Sequence, residues 1–259
     1  MVVDGRGYGF PMRSNDPSKL SFVACASSLE VLGQHLLSSP CLRRGGRTLV
    51  VYFNAASAAM GFNAAMASEA GRGAGASWLV WVHQDVFLPE GWDTRFTDVL
   101  AEALERFPRL AVAGVYGIAG TGVNARRAGH VLDRGTMLLE PEPLPCLVDS
   151  LDELLFAVRV DSGLQLDPAL GFDFYATDLV LQAHARGWQC AVVDACCEHW
   201  SGTPASGGVP RATVERIMAN ARVFEGKWAH RLPVTTPCFD IRQTGDVARF
   251  MANFVTPSD

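Results

Sequence analysis

The sequence lacks the features that mark a membrane-spanning, secreted or nucleic-acid-binding protein. Its longest apolar run, Leu110 to Gly120, falls well short of the roughly 20 residues that a membrane-spanning helix needs. The N-terminus has no charged segment followed by an apolar one, so no secretory signal is predicted. Arginines are scattered and the net charge is −5, which leaves no basic stripe for nucleic acid. We therefore expect a cytoplasmic protein with no membrane span and no nucleic-acid partner.

Other common signatures are missing as well. The seven cysteines are odd in number and widely spread, a pattern that favours buried reduced thiols over a disulfide framework. The sequence contains neither a P-loop nor a G-x-S-x-G elbow, so the usual signatures of Walker-type ATP hydrolysis and of α/β-hydrolases are absent. No pattern indicates an oligomeric state.

What the sequence does contain is enough apolar residues, 49% of 259, for one large α/β domain. Residues 1–19 are rich in Gly, Pro, Ser and Asn, which predicts a flexible or surface-wrapped leader. Residues 20–259 are predicted to form a single domain. It divides into a nucleotide-binding half at 20–117, an acceptor and catalytic half at 118–210, and a C-terminal helix and tail at 211–259.

The first half alternates strand and helix patterns. Strands are predicted at 20–26, 47–53, 77–82 and 110–116, with helices between them, the first capped by Ser27 in capping-box spacing with Glu30. This alternation predicts a mostly parallel sheet with helices on both faces. After an excursion at 118–145 that carries a short strand at 136–139, we expect a strand at 154–160, a helix at 175–186 and a strand at 189–195. A helix at about 211–228 is predicted to end the ordered part.

Polar residues follow three of the predicted strands. Ser27, Asn54 and the triplet His83-Gln84-Asp85 come directly after the first, second and third strands. In open sheets of this type ligands bind beyond the carboxyl ends of the strands, so these side chains are expected around one crevice. Asp85 has the chemistry to bind a divalent cation through oxygen, and equally to cap a turn that leads to Pro89.

His199 lies in the run Cys196-Cys197-Glu198-His199. Structural zinc is one interpretation, although neighbouring cysteines in a strand point to opposite faces and chelate poorly. The alternative is that His199 reaches across the crevice to a metal held by Asp85.

Asp178 falls at the start of a predicted helix. A carboxylate there either complements the helix dipole or serves as a general base beside the crevice.

The ordered set of these residues resembles a glycosyltransferase of the GT-A fold, in the family-2-like group. The resemblance covers about residues 20–230. Its most specific part is the apolar strand that ends in His83-Gln84-Asp85-Val86, which is similar to a His-Gln-Asp variant of the Asp-x-Asp motif. Tyr175-x-x-Asp178, the segment His199-Trp200-Ser201-Gly202 and the pair Lys227-Trp228 resemble the acceptor half of the same family.

The resemblance implies a metal-dependent, inverting glycosyltransferase that moves a sugar from a nucleotide-diphospho-sugar to a hydroxyl of a glycan or another acceptor. Asp85 and His199 would hold Mn²⁺ or Mg²⁺ against the diphosphate, and Asp178 would be the general base. The remaining residues that the resemblance carries over belong to the two substrates. Ser27, Asn54, Asn63 and Gln84 would line the donor pocket with Asp85, and Trp200, Ser201 and Gly202 would belong to the acceptor side, where residues 201–208 have the composition of a lid.

Three positions depart from the family pattern: His83, Asn54 and Thr177 stand where acids are usual. Two alternatives to the glycosyltransferase therefore stay open. One is a catalytically degenerate nucleotide- or glycan-binding protein on the same fold. The other is a nucleotidyltransferase that releases pyrophosphate from a nucleoside triphosphate.

Overall fold

The computed structural model describes residues 19–43, 47–73, 75–201 and 209–254. All of the predicted leader except Lys19, and the predicted lid from Gly202 to Gly208, lie outside these ranges. None of the described helices is both long and apolar enough to cross a membrane.

Fifteen strands occur in the described residues. They are β1 (Leu20–Ala26), β2 (Thr48–Phe53), β3 (Trp78–Val82), β4 (Val86–Phe87), β5 (Leu110–Gly114), β6 (Tyr116–Ala119), β7 (Arg126–Asp133), β8 (Thr136–Leu139), β9 (Cys146–Leu147), β10 (Ser150–Leu151), β11 (Leu155–Arg159), β12 (Gln189–Val192), β13 (Cys197–His199), β14 (Val234–Thr235) and β15 (Asp240–Ile241).

Eight α-helices occur in the same ranges. They are α1 (Leu29–Gln34), α2 (Pro40–Arg43), α3 (Ala58–Ala67), α4 (Glu69–Arg72), α5 (Trp92–Arg106), α6 (Tyr175–Ala185), α7 (Arg211–Lys227) and α8 (Asp246–Met251).

The main sheet is mixed rather than mostly parallel. Its order is β2-β1-β3-β11-β5-β12-β9, and β1 pairs in parallel with both β2 and β3. Strand β11 lies between β3 and β5 and pairs antiparallel with both, with Leu155 opposite Val82. The chain therefore leaves the sheet after β5 and returns to fill a central position.

Helices cover both faces of this sheet, as predicted. Phe22, on β1, packs in one core cluster with Trp92 and Phe96 of α5. The next residue, Val23, points the other way into a second cluster that contains Phe62 of α3 and residues of α6. Because neighbouring side chains of a strand face opposite sides, a continuous apolar strand needs a helix layer on each side.

A second sheet of order β10-β6-β7-β13-β4 forms beyond the main one. From this region the sequence predicts only the short strand β8, which the structure confirms at Thr136–Leu139 and pairs with β7. In this sheet β13 pairs antiparallel with β4, which sets His199 opposite Val86. The backbone N–H of Trp200 also donates to the carbonyl of Asp85 at 2.9 Å. Residues distant in sequence thereby meet at the end of β3.

Two local predictions are corrected. Ser28 rather than Ser27 caps α1, because the Ser28 hydroxyl accepts from the N–H of Val31. The Ala- and Met-rich stretch at 55–69, which predicts one helix after the second strand, forms α3 and α4 instead, since Ser68 ends the first and its hydroxyl accepts from the N–H of Gly71 to start the second.

The chain does not end its ordered part at residue 228. The β14–β15 pair and α8 pack with α7 in a third core cluster that includes Trp228. The buried carboxylate of Glu225, on α7, accepts from the N–H groups of Gly245 and Val247 at the start of α8. An anionic acceptor at a helix N-terminus satisfies otherwise unpaired donors, so it fastens α8 to the domain.

We predict that Gly129→Ala lowers the free energy of unfolding by about 3 kcal/mol. Gly129 has φ of +116°, and a Cβ built there lies 2.1 Å from the carbonyl oxygen of Val115 on the paired strand segment. Gly33→Ala is the control, because no heavy atom lies within 4 Å of its Cβ position in α1, so a gain of about 0.5–1 kcal/mol is expected. Equal unfolding midpoints in urea for the two variants would contradict this account.

Candidate functional site

A pocket of about 370 Å³ opens at the carboxyl ends of β1, β2 and β3. Parallel strands end at one edge of a sheet, which is why the polar residues that follow them meet here. Phe172 and Arg216 form the opposite wall. The residues from the sheet edge are Cys25, Ala26, Ser27, Asn54, Ala55, Trp81, His83, Gln84 and Asp85.

His83 and Asp85 line this pocket, and His199 converges on them from β13. Oδ1 of Asp85 lies 3.6 Å from Nε2 of His199 and 4.0 Å from Nδ1 of His83. One ligand atom of each residue lies within 4.8 Å of those of the other two, which is the spacing of a metal-ligand set. All three side chains are partly buried, with exposed fractions between 15% and 31%.

The tautomer of His83 follows from the hydroxyl of Tyr175. That oxygen accepts from Nε1 of Trp81 at 3.2 Å, lies 2.7 Å from Nε2 of His83, and donates its proton to the carbonyl of Glu153 at 3.3 Å. When the Tyr175 proton is directed to Glu153, the hydroxyl accepts from Nε2–H of His83. In that tautomer, the one that a metal ion on Nδ1 requires, the lone pair of His83 is on the nitrogen that faces Asp85.

Asp133 orients the ring of His199. Nδ1 of His199 lies 2.9 Å from Oδ1 of Asp133, which sits opposite it on the neighbouring strand β7. An ionised carboxylate only accepts, so Nδ1 carries the proton and the lone pair of Nε2 faces Asp85. In the metal-binding tautomer of His83, two lone pairs and a carboxylate oxygen face one another, an arrangement that a cation stabilises.

Burial favours the neutral form of His83, which is the form that binds a metal ion. Removal from water lowers the pKa of His83, and the charge of His199 lowers it further, whereas Asp85 and Asp152 raise it. A lowered pKa keeps the imidazole neutral, and the neutral form is the one that binds a metal ion.

The donor set suits some ions better than others. Two imidazole nitrogens and one carboxylate oxygen favour a first-row transition ion such as Mn²⁺ over Mg²⁺, which prefers oxygen ligands. No cysteine belongs to the group, and Cys197 is fully buried, with burial as the main cause that raises its thiol pKa. The geometry therefore does not support the alternative of a zinc site built on Cys196 and Cys197.

Sequence reasoning missed the roles of two residues of this centre. His83 is expected at the crevice but not as a metal ligand, whereas its ring offers the third ligand atom of the group. Asp133 gives no signal in the sequence, because its role depends on the pairing of β7 with β13. A histidine two residues before an expected metal-binding Asp, at the end of a strand, is the one local clue to the role of His83.

Gln84 and Asn54 have local structural roles in the pocket wall. Oε1 of Gln84 accepts from the N–H groups of Ser27 and Ser28, and its Nε2 donates to the Ser27 hydroxyl, so the side chain holds the turn between β1 and α1. Asn54 has φ of +50°, a left-handed conformation that Asn tolerates better than most residues, and its N–H donates to the carbonyl of Ala26.

Asn63 lies outside the pocket, contrary to expectation. Its Nδ2 donates to the carbonyl of Leu166 at 2.8 Å, and its Oδ1 accepts from the Leu166 N–H at 2.9 Å. Both ends of the amide are engaged, so Asn63 anchors the segment before α6 to α3.

Asp178 is fully buried, which contradicts its expected place beside the crevice. Its Oδ1 accepts from Nε1 of Trp228 and Nζ of Lys227, both at 2.7 Å, and its Oδ2 accepts from Nε2 of Gln182 at 2.7 Å. These contacts join α6 to the end of α7. With no exposed surface, the carboxylate does not reach an acceptor hydroxyl in this conformation.

Of the predicted acceptor residues, Trp200 lies at the rim of the metal-ligand group. Its ring stacks on His35 with centroids 6.0 Å apart and 16° between the planes. Ser201 is partly buried next to it, and Gly202 lies outside the described residues.

A second, smaller cavity of about 210 Å³ adjoins the first, and His83 lines both. Asp152, Glu153 and Asp173 contribute carboxylates to its wall. None of the three is predicted as a site residue from the sequence, because the turn before β11 and the loop before α6 have no diagnostic pattern.

The similarity of this chain to known proteins is partial. No protein family model matches the chain. A curated protein of Fuscovulum blasticum, named ATP synthase subunits region ORF 6, is 30% identical over 165 residues, which cover 59% of this chain and 63% of that protein. The match thus spans less than two thirds of that relative's length.

Solved structures show only distant similarity. A197 from STIV matches 68% of this chain and 82% of its own with 11% identity and a TM-score of 0.40. Residues 1–349 of TarS from S. aureus match 84% of this chain and 75% of their own with 9% identity and a TM-score of 0.41. Similarity at this level leaves the function to be argued from the chain's own residues.

We predict that Tyr175→Phe weakens Mn²⁺ binding about 10- to 100-fold, because loss of a residue that orients a metal ligand has effects of that size. The phenyl ring keeps the packing, and Trp81 retains its second bond to the carbonyl of Glu153. Titration of free Mn²⁺ by electron paramagnetic resonance measures the change. Tyr52→Phe, on β2, is the control, and equal Mn²⁺ affinity in both variants would remove Tyr175 from this role.

We also predict that Asp178→Asn lowers the free energy of unfolding by about 3–5 kcal/mol, since it leaves Lys227 without one of its carboxylate partners in a buried setting. Asp161→Asn is the control, because its side chain is 69% exposed and its pair with Arg159 is expected to contribute less than about 1 kcal/mol. Urea unfolding separates the two. A stable Asp178→Asn protein that binds donor but transfers nothing would instead return Asp178 to the role of general base.

Proposed function

We propose that the protein is a metal-dependent, inverting glycosyltransferase that uses a nucleotide-diphospho-sugar. The observation that carries the proposal is the convergence of His83, Asp85 and His199 at the carboxyl edge of a nucleotide-binding type of sheet. The pocket above them continues to Ser27 and Asn54, where the donor nucleotide is expected. The resemblance of the His-Gln-Asp motif supports the same assignment.

The three side chains would hold a cation, for which the donor set favours Mn²⁺. A bound divalent ion neutralises the charge that develops on a leaving diphosphate. Arg216 adds a positive group on the opposite wall of the pocket, where its guanidinium is half exposed and pairs with Asp173. A diphosphate placed between the ligand set and Arg216 would have cationic partners on both sides.

Two cavities that share His83 give room for two substrates. An in-line displacement needs the nucleophile and the leaving group on opposite sides of the reacting carbon. Separate cavities for the donor and the acceptor are compatible with this requirement.

We assign the general base to Asp152 instead of Asp178. Asp152 lines the smaller cavity, is partly exposed, and its charge acts on His83, whereas Asp178 is fully buried. A base must come within hydrogen-bond reach of the acceptor hydroxyl, so an accessible carboxylate next to the ligand set is the better candidate.

Calorimetry with UDP-, GDP- and dTDP-sugars, each with and without Mn²⁺, tests the proposal. We expect one donor to bind, and its affinity to fall at least tenfold without the ion or in Asp85→Asn, because the diphosphate loses its main cationic partner. Asp161→Asn, which changes a carboxylate remote from the pocket, should bind donor normally. If no nucleotide binds in any condition, the proposal is wrong.

A binding-only protein on this fold is the second candidate, and the burial of Asp178 favours it. If Asp152→Asn matches the unchanged protein, and neither transfers sugar to any acceptor although donor binds, the binding-only function is supported. Release of pyrophosphate from a nucleoside triphosphate would point to a nucleotidyltransferase.

A further inference from the structure

The smaller cavity has walls from four parts of the chain. They are the turn before β11, the start of α6, the middle of α7 and the segment 236–239. Its volume of about 210 Å³ is below the roughly 300–1,000 Å³ of pockets for drug-sized ligands, so it suits a small molecule or one end of a larger one.

Most of the lining is apolar. Phe174 and Phe239 stack obliquely at 5.6 Å on one side, and the remaining carbon surface comes from Leu151, Ile217 and Pro237. A free sugar presents a hydroxyl on nearly every carbon, and these walls offer few partners for such groups. The cavity therefore suits an apolar body better than a free sugar.

The polar part of the lining carries an excess of negative charge. Asp173 is neutralised by Arg216, whose fork binds both of its oxygens at 3.0 Å. Within the described ranges, no Lys or Arg forms an ion pair with Asp152 or Glu153. These two carboxyl groups face the same space as the apolar walls.

The carboxyl group of Glu153 has no positively charged partner among the described residues. Its Oε1 atom is shut off from solvent and has no hydrogen-bond partner among the described residues. Burial, and after it the charges of Asp173 and Asp152, raise the pKa of Glu153 well above its usual value, against the N–H groups of Ala176 and Tyr175. The site lacks a positive partner for this group.

We propose that the smaller cavity binds the apolar end of an acceptor that carries an ammonium group, with the carboxyl groups of Asp152 and Glu153 as the partners of that cation. Here the proposal rests on the proposed function, since it names the class of acceptor for the same reaction. An alkyl- or arylalkylamine satisfies both the carbon walls and the excess charge, whereas an anion of the same shape is repelled.

The proposed class of acceptor is tested with three probes that have a similar shape and different charge: phenethylamine, phenethyl alcohol and hydrocinnamate. Their binding to the full chain is measured by calorimetry without any nucleotide. We expect phenethylamine to bind at least tenfold more tightly than the alcohol, because hydrogen bonds to charged groups are the stronger kind, and hydrocinnamate to bind most weakly.

Substitutions in the lining of the smaller cavity test whether the probes bind there. Glu153→Gln should reduce the preference for phenethylamine over the alcohol at least tenfold, and Ile217→Trp should weaken all three probes by filling the cavity. Glu215→Gln is the matched control, because it removes an exposed carboxylate from α7, where Glu215 pairs only with Arg211 in the described residues. Thermal unfolding confirms that each variant is folded, and Asp152→Asn replaces Glu153→Gln if the latter is not.

Equal affinity for the amine and the alcohol, preference for the anion, or no binding of any probe overturns the inference. So does an amine preference that survives both carboxyl substitutions. Donor binding with Mn²⁺ is measured on the same samples. Because the donor occupies the other pocket, a protein that binds donor but not amine refutes the acceptor class alone, and one that binds neither refutes the proposed function as well.

Discussion

The candidate site depends on the pairing of two short strands, β13 and β4. This pairing continues into the hydrogen bond from the Trp200 N–H to the Asp85 carbonyl, and it brings a histidine from late in the chain to the end of β3. Without it, only His83 would lie beside Asp85 at the sheet edge. The pairing belongs to a second sheet, so the main sheet provides the platform and the smaller sheet completes the centre. A backbone ladder holds its register more tightly than a flexible loop would, which suits a site whose ligand atoms must stay within a few ångströms.

Each histidine of the centre is tied to a different part of the core. Tyr175 begins α6 and is buried against Trp81 with ring centroids 5.5 Å apart, so its hydroxyl is held in place by packing before it contacts His83. Asp133 ends β7 and holds His199 from the second sheet. Each ring is therefore held by a contact to a different element. At position 83, where the resemblance to family-2-like glycosyltransferases implies an acid, an imidazole offers the third potential ligand atom instead.

The sequence is informative where structure is local and uninformative where it depends on distant pairing. Strand β1 has the bounds that apolar periodicity predicts, β2 and β3 differ by one residue, and α5 forms where a helix is predicted before β5, since buried strands and amphipathic helices carry their pattern in neighbouring residues. The insertion of β11 beside β3, and all of the second sheet except β8, are not predicted, because the residues of a strand do not indicate which strand it pairs with. The same limit applies to the site. Asp85 follows from its position after a strand, whereas the role of Asp133 and the burial of Asp178 depend on contacts between elements far apart in the chain.

The two cavities that share His83 differ in the charge of the ligands that they suit. At the larger pocket a carboxylate and two imidazoles lie close together with Arg216 opposite, so a cation and then a polyanion would complete it in turn. The smaller cavity has apolar walls and two carboxyl groups without an ion-pair partner among the described residues, so an organic cation would complete it. Arg216 stands between them and is shared, because it pairs with Asp173 on one side and lines the donor pocket on the other. A donor diphosphate that attracts Arg216 would leave Asp173 less neutralised and make the smaller cavity more negative. Binding of the donor would then strengthen binding of a cationic acceptor, and by linkage the acceptor would strengthen binding of the donor to the same extent.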